Sequence, residues 1–256
     1  MNSKKVVAIV QARMRSSRLP GKVLLDLGGK PALEWVLDRA RRARSLDEVM
    51  VATTDDFCDR PVVDFCQANG YPVFRGSAFD VLDRYYQAAL QVGADVVVRI
   101  TGDCPLIDPG EIDHVVEEFF ARGVDFAANR LPPPWKRTYP IGLDTEVCSF
   151  AALERAWREA EEKFEREHVM PYLYDQPGRF QTFVLQTKPD AGEMRWTLDT
   201  PADLELLRKI VDGLAPREDF SWREVLALVR QHPDWIEINT HVAHKSLEDV
   251  DSRYQG

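Results

Sequence analysis

Asp95–Thr101, reading DVVVRIT, is the clearest strand in the chain, and the fold is read outward from it. It is apolar on both faces, the composition of a parallel strand buried between two layers of helices. Upstream, Ser77 can cap a helix whose apolar positions Val81, Leu82, Tyr85, Ala88, Ala89 and Val92 recur at helical spacing. Downstream, Cys104-Pro105 stops the strand, a helix is predicted over 110–122, and a further strand over Val124–Ala128.

The same alternation runs back to the N-terminus. Val6–Val10 reads as a strand. Gly28 and Gly29 mark a turn, Pro31 suits a first helical position, and Leu33, Val36, Leu37 and Ala40 predict a helix to about Ala43. Val49–Thr53 is a second strand, Val62, Val63, Phe65 and Cys66 lie on a helix, and Pro72–Phe74 is a short third strand. Strands alternating with helices predict an α/β fold with a mostly parallel central sheet and helices on both faces.

The pattern changes at Asn129. The segment NRLPPPWKRTYPIG (129–142) carries four prolines and excludes a regular helix or central strand. Leu143–Phe150 reads as a strand and Leu153, Ala156, Trp157 and Ala160 as a helix. Gln181–Gln186 and Glu193–Leu198 alternate like a hairpin or a sheet extension. Two amphipathic helices follow, on Leu204, Leu207, Val211 and Leu214, then on Trp222, Val225, Leu226 and Val229. The expectation is one domain over 1–256, with an inserted region at 129–195 and a polar tail at 232–256 that wraps the surface or reaches a partner.

The formal net charge of -9 argues against a nucleic-acid binder, so an anionic ligand must be held by a local cationic cluster. One exists. Immediately after the first strand, QARMRSSRLPGK places Arg13, Arg15, Arg18 and Lys22 in a loop broken by Pro20 and Gly21. A strand leading into a mobile basic loop is one way to hold several phosphates at the carboxyl edge of a sheet; a solvated basic loop is the other reading. No run approaches the roughly 18 apolar residues that span a bilayer. The scattered Cys58, Cys66, Cys104 and Cys148 suit a reducing compartment, so the expectation is a soluble cytoplasmic protein with no membrane partner.

Two aspartates fall just past strand ends. Asp103 follows VVVRITG, and Asp199 follows RWTL and precedes Thr200-Pro201. Two such carboxylates can meet over one site and share a hard cation such as Mg²⁺, whose remaining ligands are water and phosphate oxygens. D-T-P-x-D is equally a helix-start signal, so Asp199 reads as a cap as readily as a ligand.

VQARMRSSRLPGK, VVVRITGDCPLID and WTLDTPADLE together resemble the three signature segments of the bacterial cytidylyltransferases. That group activates acidic sugars and includes acylneuraminate and 3-deoxy-manno-octulosonate cytidylyltransferases. FRGSAFDVLDRYYQAA, YPIGLDTEV and EREHVMPYLY look most like the SpsF-type subgroup, named for spore coat polysaccharide biosynthesis. The resemblance spans roughly residues 5–210 and rests on the spaced combination. It implies a Rossmann-like fold of the nucleotide-diphospho-sugar transferase type. It also implies a nucleotidyltransferase that passes CMP from CTP to an acidic sugar, with pyrophosphate leaving and Mg²⁺ as cofactor.

The implied roles fall residue by residue. Gln11 and Ala12 would surround the nucleotide, and Arg13, Arg18 and Lys22 would hold its phosphates. Gly76, Ser77, Asp80 and Leu82 would approach the base and ribose. Thr101 would shape the pocket, Asp103 and Asp199 would bind the metal, and Arg99 would brace nearby carboxylates. On the sugar side stand Arg130, Lys136, Arg137, Tyr139, Asp144, Glu146 and His168; an exposed loop and an ordinary strand face are the competing reading. The resemblance further implies a homodimer paired through the middle segment. His241 and His244 carry no metal expectation. Cys104 and the middle region depart from the better-known acidic-sugar enzymes, so the resemblance does not name the sugar. Two rival functions remain at this level: a metal-dependent glycosyltransferase using a finished sugar nucleotide, and a non-catalytic nucleotide- or polysaccharide-binding subunit.

Overall fold

The computed structural model describes residues 4–132 and 135–243. The first strand, β1 (Val6–Gln11), is apolar at every position but the last and is buried on both sides. A two-stranded ribbon, β2 (Asp26–Leu27) and β3 (Lys30–Pro31), turns at Gly28 and Gly29, both with positive φ. There follow α1 (Ala32–Ala40), β4 (Glu48–Thr54), α2 (Arg60–Ala68), β5 (Val73–Gly76), α3 (Val81–Val92), β6 (Val96–Thr101), α4 (Pro109–Arg122) and β7 (Phe126–Ala128). The second half contributes β8 (Glu146–Ser149), α5 (Phe150–Glu159), α6 (Lys163–His168), α7 (Pro171–Tyr174) and β9 (Thr182–Val184). The chain then runs through α8 (Pro201–Leu214), α9 (Trp222–Gln231) and α10 (Pro233–Glu237).

Seven strands form one sheet in the order β5-β4-β1-β6-β8-β7-β9. All neighbouring pairs are parallel except those made by β8, which runs antiparallel to both β6 and β7. The mostly parallel α/β architecture expected from the alternation is therefore the architecture found. Because successive side chains on a strand point to opposite faces, β1 sends Val6, Ala8 and Val10 into one core and Val7 and Ile9 into the other. α1, α4, α8 and α9 cover the first face; α3, α5 and α7 cover the second.

The chain leaves β1 for one side of the sheet, toward β4 and β5, and returns to place β6 on its other side. The switch point thus lies between the carboxyl ends of β1 and β6, where open α/β sheets form their ligand crevice.

Several boundaries differ from expectation, each because a tertiary contact outranks local pattern. Gln181–Gln186 and Glu193–Leu198 form no hairpin: the first yields β9, parallel to β7, and the second only an isolated bridge between Arg195 and Ile141. The predicted strand 143–150 shortens to β8, where its pairing with β6 ends. Asp80, not Ser77, caps α3 by accepting from Asp83 N–H at 2.8 Å, while Ser77 Oγ accepts from Asp80 N–H. Part of the predicted tail is α10, with Trp235, Ile236 and Ile238 packed on the core; His244 and the rest of that tail lie outside the described residues.

Candidate active site

The crevice begins where two strand ends touch. Gln11 pairs with Thr101, and Gly102 N–H donates to Gln11 O at 2.8 Å. A Cβ at Gly102 would lie 3.0 Å from that oxygen and 3.1 Å from Ala12 Cβ, so glycine is what lets the two loops leave side by side. The basic loop is tethered, contrary to the mobile loop expected. Met14 N–H donates to the buried Asp59 at 2.5 Å, and Gly21 N–H closes back onto Met14 O at 2.8 Å. Gly21 meets that closure with φ of 71°, a left-handed value that glycine adopts without penalty.

Asp199 comes to the same place by a separate route. Leu198 N–H donates to Asp103 O at 2.8 Å and Thr197 Oγ1 to the same oxygen at 3.2 Å, pinning one segment to the other. Asp199 does not cap α8. Thr200 does, in a reciprocal capping box with Asp203. That frees the Asp199 carboxylate to turn into the crevice.

Lys22 stands between the two carboxylates. Its Nζ donates to Asp103 Oδ2 at 2.5 Å and to Asp199 Oδ1 at 2.7 Å. The other Asp199 oxygen meets Arg18 at 2.8 Å and Arg195 at 2.6 Å. Burial alone would lower the Lys22 pKa, but Asp103 and then Asp199 more than offset it and raise it. Burial would likewise raise the Asp199 carboxyl; Lys22, then Arg18 and Arg195, hold it well below the usual carboxylate range. Both groups are therefore charged at neutral pH.

The donor set fits Mg²⁺. Two hard carboxylate oxygens already converge on one cationic point, and among the described residues no larger His, Cys, Asp or Glu cluster encloses it. A site of that kind leaves the remaining positions to water and to phosphate oxygens.

Two clefts of similar size open from this centre, about 220 Å³ and 240 Å³. Both are lined by Arg18, Thr101, Asp103, His168 and Asp199. The first adds Gln11, Ala12, Arg13, Arg15 and Lys22; the second adds Arg99, Arg130, Asp144, Glu146 and Tyr174. Gln11 lines the first cleft, and its carboxamide oxygen is buried without a hydrogen-bond partner among the described residues. In the second, Arg130 pairs with Asp144 at 2.5 Å and Arg99 with Glu146. Glu146 raises the Arg99 guanidinium pKa despite burial.

Some expected site residues stand elsewhere. Leu82 is fully buried in the sheet–α3 core, and Val81 takes the place on the cleft wall. Asp80 is engaged by Arg166 through paired contacts. Gly76 lies over Phe74 and Arg84, and Ser77 O accepts from Arg84 at 2.7 Å; neither lines either cleft. Tyr139 packs into the opposite core against Trp222, where the apolar ring is buried instead of facing either cleft. Arg137 lines a separate cavity with Ile141, Met194 and Arg195. Lys136 reaches Asp190, at 3.3 Å on the surface.

Sequence reasoning missed Arg84, Arg195 and Asn239. Arg84 is buried on α3 and lines the first cleft, its pKa lowered to about 10 by burial. Its signal was a charge on the apolar face of a helix. Arg195 reaches both Asp199 and the fully buried Asp203, and Asn239 Nδ2 donates to Asp203 at 2.8 Å. No local pattern announces either one. Cys104 is buried, and burial pushes its thiol well above its usual range, so it is a neutral wall and not a nucleophile.

The comparisons with known proteins agree with this geometry. The family described as cytidylyltransferase matches residues 7–230. The spore coat polysaccharide biosynthesis protein SpsF of Bacillus subtilis is 32% identical, covering 90% of this chain and 95% of that protein. A 3-deoxy-manno-octulosonate cytidylyltransferase of Anaeromyxobacter dehalogenans is 32% identical over 80% of this chain and 97% of its own. The structure of a cytidylyltransferase from Leptospira borgpetersenii superposes with a TM-score of 0.87 at 33% identity, covering 94% of this chain and all of that one. A sheet switch point bearing a tethered cationic loop and two convergent carboxylates, in a chain matched over most of its length, places this protein in the cytidylyltransferase family of nucleotidyltransferases.

Proposed function

We propose that this protein transfers CMP from CTP to an acidic sugar of the ulosonic or nonulosonic type, releasing pyrophosphate, for a surface or spore-coat polysaccharide. The observation that carries the reading is the cationic cluster around Asp103 and Asp199, set between two clefts. The first cleft takes the nucleotide. Arg13, Arg18 and Lys22 would hold its phosphates, and the Gln11 carboxamide oxygen would accept from the exocyclic amine of cytosine. The second cleft takes the sugar, where the paired Arg130 and Asp144 would meet a carboxylate and hydroxyls respectively.

Transfer then needs alignment more than covalent chemistry. A sugar hydroxyl would attack the α-phosphorus in line, losing its proton to solvent as the sugar oxygen bonds to phosphorus and the bond to pyrophosphate breaks, and the cations of the loop would neutralise charge building on the leaving pyrophosphate. Mg²⁺ held by Asp103 and Asp199 would supply Lewis acidity and lower the pKa of the attacking hydroxyl. No side chain serves as a covalent nucleophile. His168, at the seam of the two clefts, is placed to contact either reactant.

We read residues 1–256 as one nucleotidyltransferase domain acting in the cytoplasm, with 129–195 as its sugar side and a homodimer formed through that segment. No helix among the described residues is long and apolar enough to cross a membrane. Pyrophosphate release measured with CTP, Mg²⁺ and a panel of ulosonic and nonulosonic acids tests the reaction. Turnover with one acid and not with neutral hexoses is expected; none with any acid would overturn it. Asp103→Asn should lower kcat by about 10²–10³ while CTP affinity changes far less.

A further inference from the structure

Lys22 occupies the point at which a divalent cation would bind, and this has a consequence for how the site fills. The local cluster comprises Lys22, Arg18 and Arg195 against Asp103, Asp199 and Asp203, and its formal charges cancel. A divalent ion entering this balanced cluster alone would add uncompensated positive charge beside an ammonium whose partners lie 2.5 and 2.7 Å away. Polyphosphate brings the missing negative charge, on the side where Lys22 and Arg18 both line the first cleft.

We propose that Lys22 is a resident counter-cation that holds the two carboxylates together and yields its place only when a nucleoside triphosphate arrives. The phosphates draw the ammonium off Asp103 and Asp199, and the vacated oxygens then take the metal. The lysine thereby does two things in sequence: it excludes the metal from the nucleotide-free site, and afterwards it neutralises the phosphates. The flexible four-carbon stem of lysine permits the swing, whereas the rigid fork of Arg195, tied also to buried Asp203, keeps Asp199 oriented throughout. This rests on the reading of the first cleft as the triphosphate site.

The test is Mn²⁺ binding followed by electron paramagnetic resonance, with and without a non-hydrolysable CTP analogue, corrected for metal bound to free nucleotide. The wild-type protein is expected to bind Mn²⁺ weakly alone and about 5–150-fold more tightly with the analogue, the usual span of coupling between two ligands. Lys22→Met should bind Mn²⁺ tightly without nucleotide and lose most of that coupling. Lys22→Arg, which keeps a cation against the carboxylates, should retain weak nucleotide-free binding. A circular-dichroism melt with added Mn²⁺ provides the same comparison should Lys22→Met fold only when metal is present, and stabilisation of that variant by Mn²⁺ alone would support the exchange. Mn²⁺ affinity in nucleotide-free Lys22→Met no higher than in the wild type would overturn it, as would tight Mn²⁺ binding by the nucleotide-free wild type. Absence of analogue binding by the wild type would instead overturn the reading of the cleft.

Discussion

Asp199 has three cationic partners and two oxygens, so its ionisation is tied to folding. Its folded-state carboxyl titrates below the ordinary value of 3.8. The stability this gives is therefore fully present above about pH 4 and is lost as pH falls through the lower, folded value. Lys22 behaves in the opposite sense: its contribution is present below 10.5 and declines as pH rises through its raised value. Asp199→Asn should cost about 1–3 kcal/mol at pH 7 in urea titrations, and the gap from wild type should narrow below pH 4. A gap constant from pH 7 to pH 2.5 would show that the charge is not what matters. At this scale the sequence was informative where chemistry is local: Arg13, Arg18, Lys22 and Asp103 stand beside a strand end or turn, and Asp199 stands just before a helix start. It was uninformative for Tyr139, whose inward turn against Trp222 depends on a helix more than 80 residues away.

Between elements, the decisive contact is the one that lets β1 and β6 release their loops together. Gly102→Val should force Gln11 and Ala12 aside, since even the first added carbon lies 3.0 Å from a backbone oxygen. About 1–3 kcal/mol of stability should be lost by overpacking. The diagnostic effect should be a rise in KM for CTP larger than the loss expected from the unfolded fraction. A variant with unchanged KM would detach the strand ends from nucleotide binding. The parallel half of the sheet was legible because β1, β4 and β6 are apolar runs bounded by turns. The remainder was not. β8 and β9 are only four and three residues long, and each finds its partner in a strand far from it in sequence, β8 in β6 and β9 in β7. Likewise Ser77 looked like a cap until Asp80, held by Arg166, took the position.

For the molecule as a whole, ligand and fold should report on each other. A ligand that binds only the folded state at a hundredfold excess over its Kd adds about 2.7 kcal/mol. For a chain of this size that corresponds to a rise in Tm of roughly 5–10 °C. CTP with Mg²⁺ should produce such a rise and UDP-sugars should not; the reverse order would favour a glycosyltransferase. Arg39 shows how widely the support is spread. It is buried on α1 and donates to the carbonyls of Ile107, Glu218 and Phe220, joining the first helix to segments from the middle and the end of the chain.

The contact of the last described segment with Arg18 and with the pair behind Asp199 has a temporal implication. Asn239 steadies the Arg195–Asp203 pair behind Asp199, and Ala243 O accepts from Arg18 at 3.3 Å. The last strand of the sheet, β9, ends at Val184, so in synthesis every strand precedes Asn239, and the crevice can form before the second carboxylate has all of its backing. Support for the second carboxylate is thus completed after the sheet, and a protease cut near residue 238 should withdraw that support while sparing the strands.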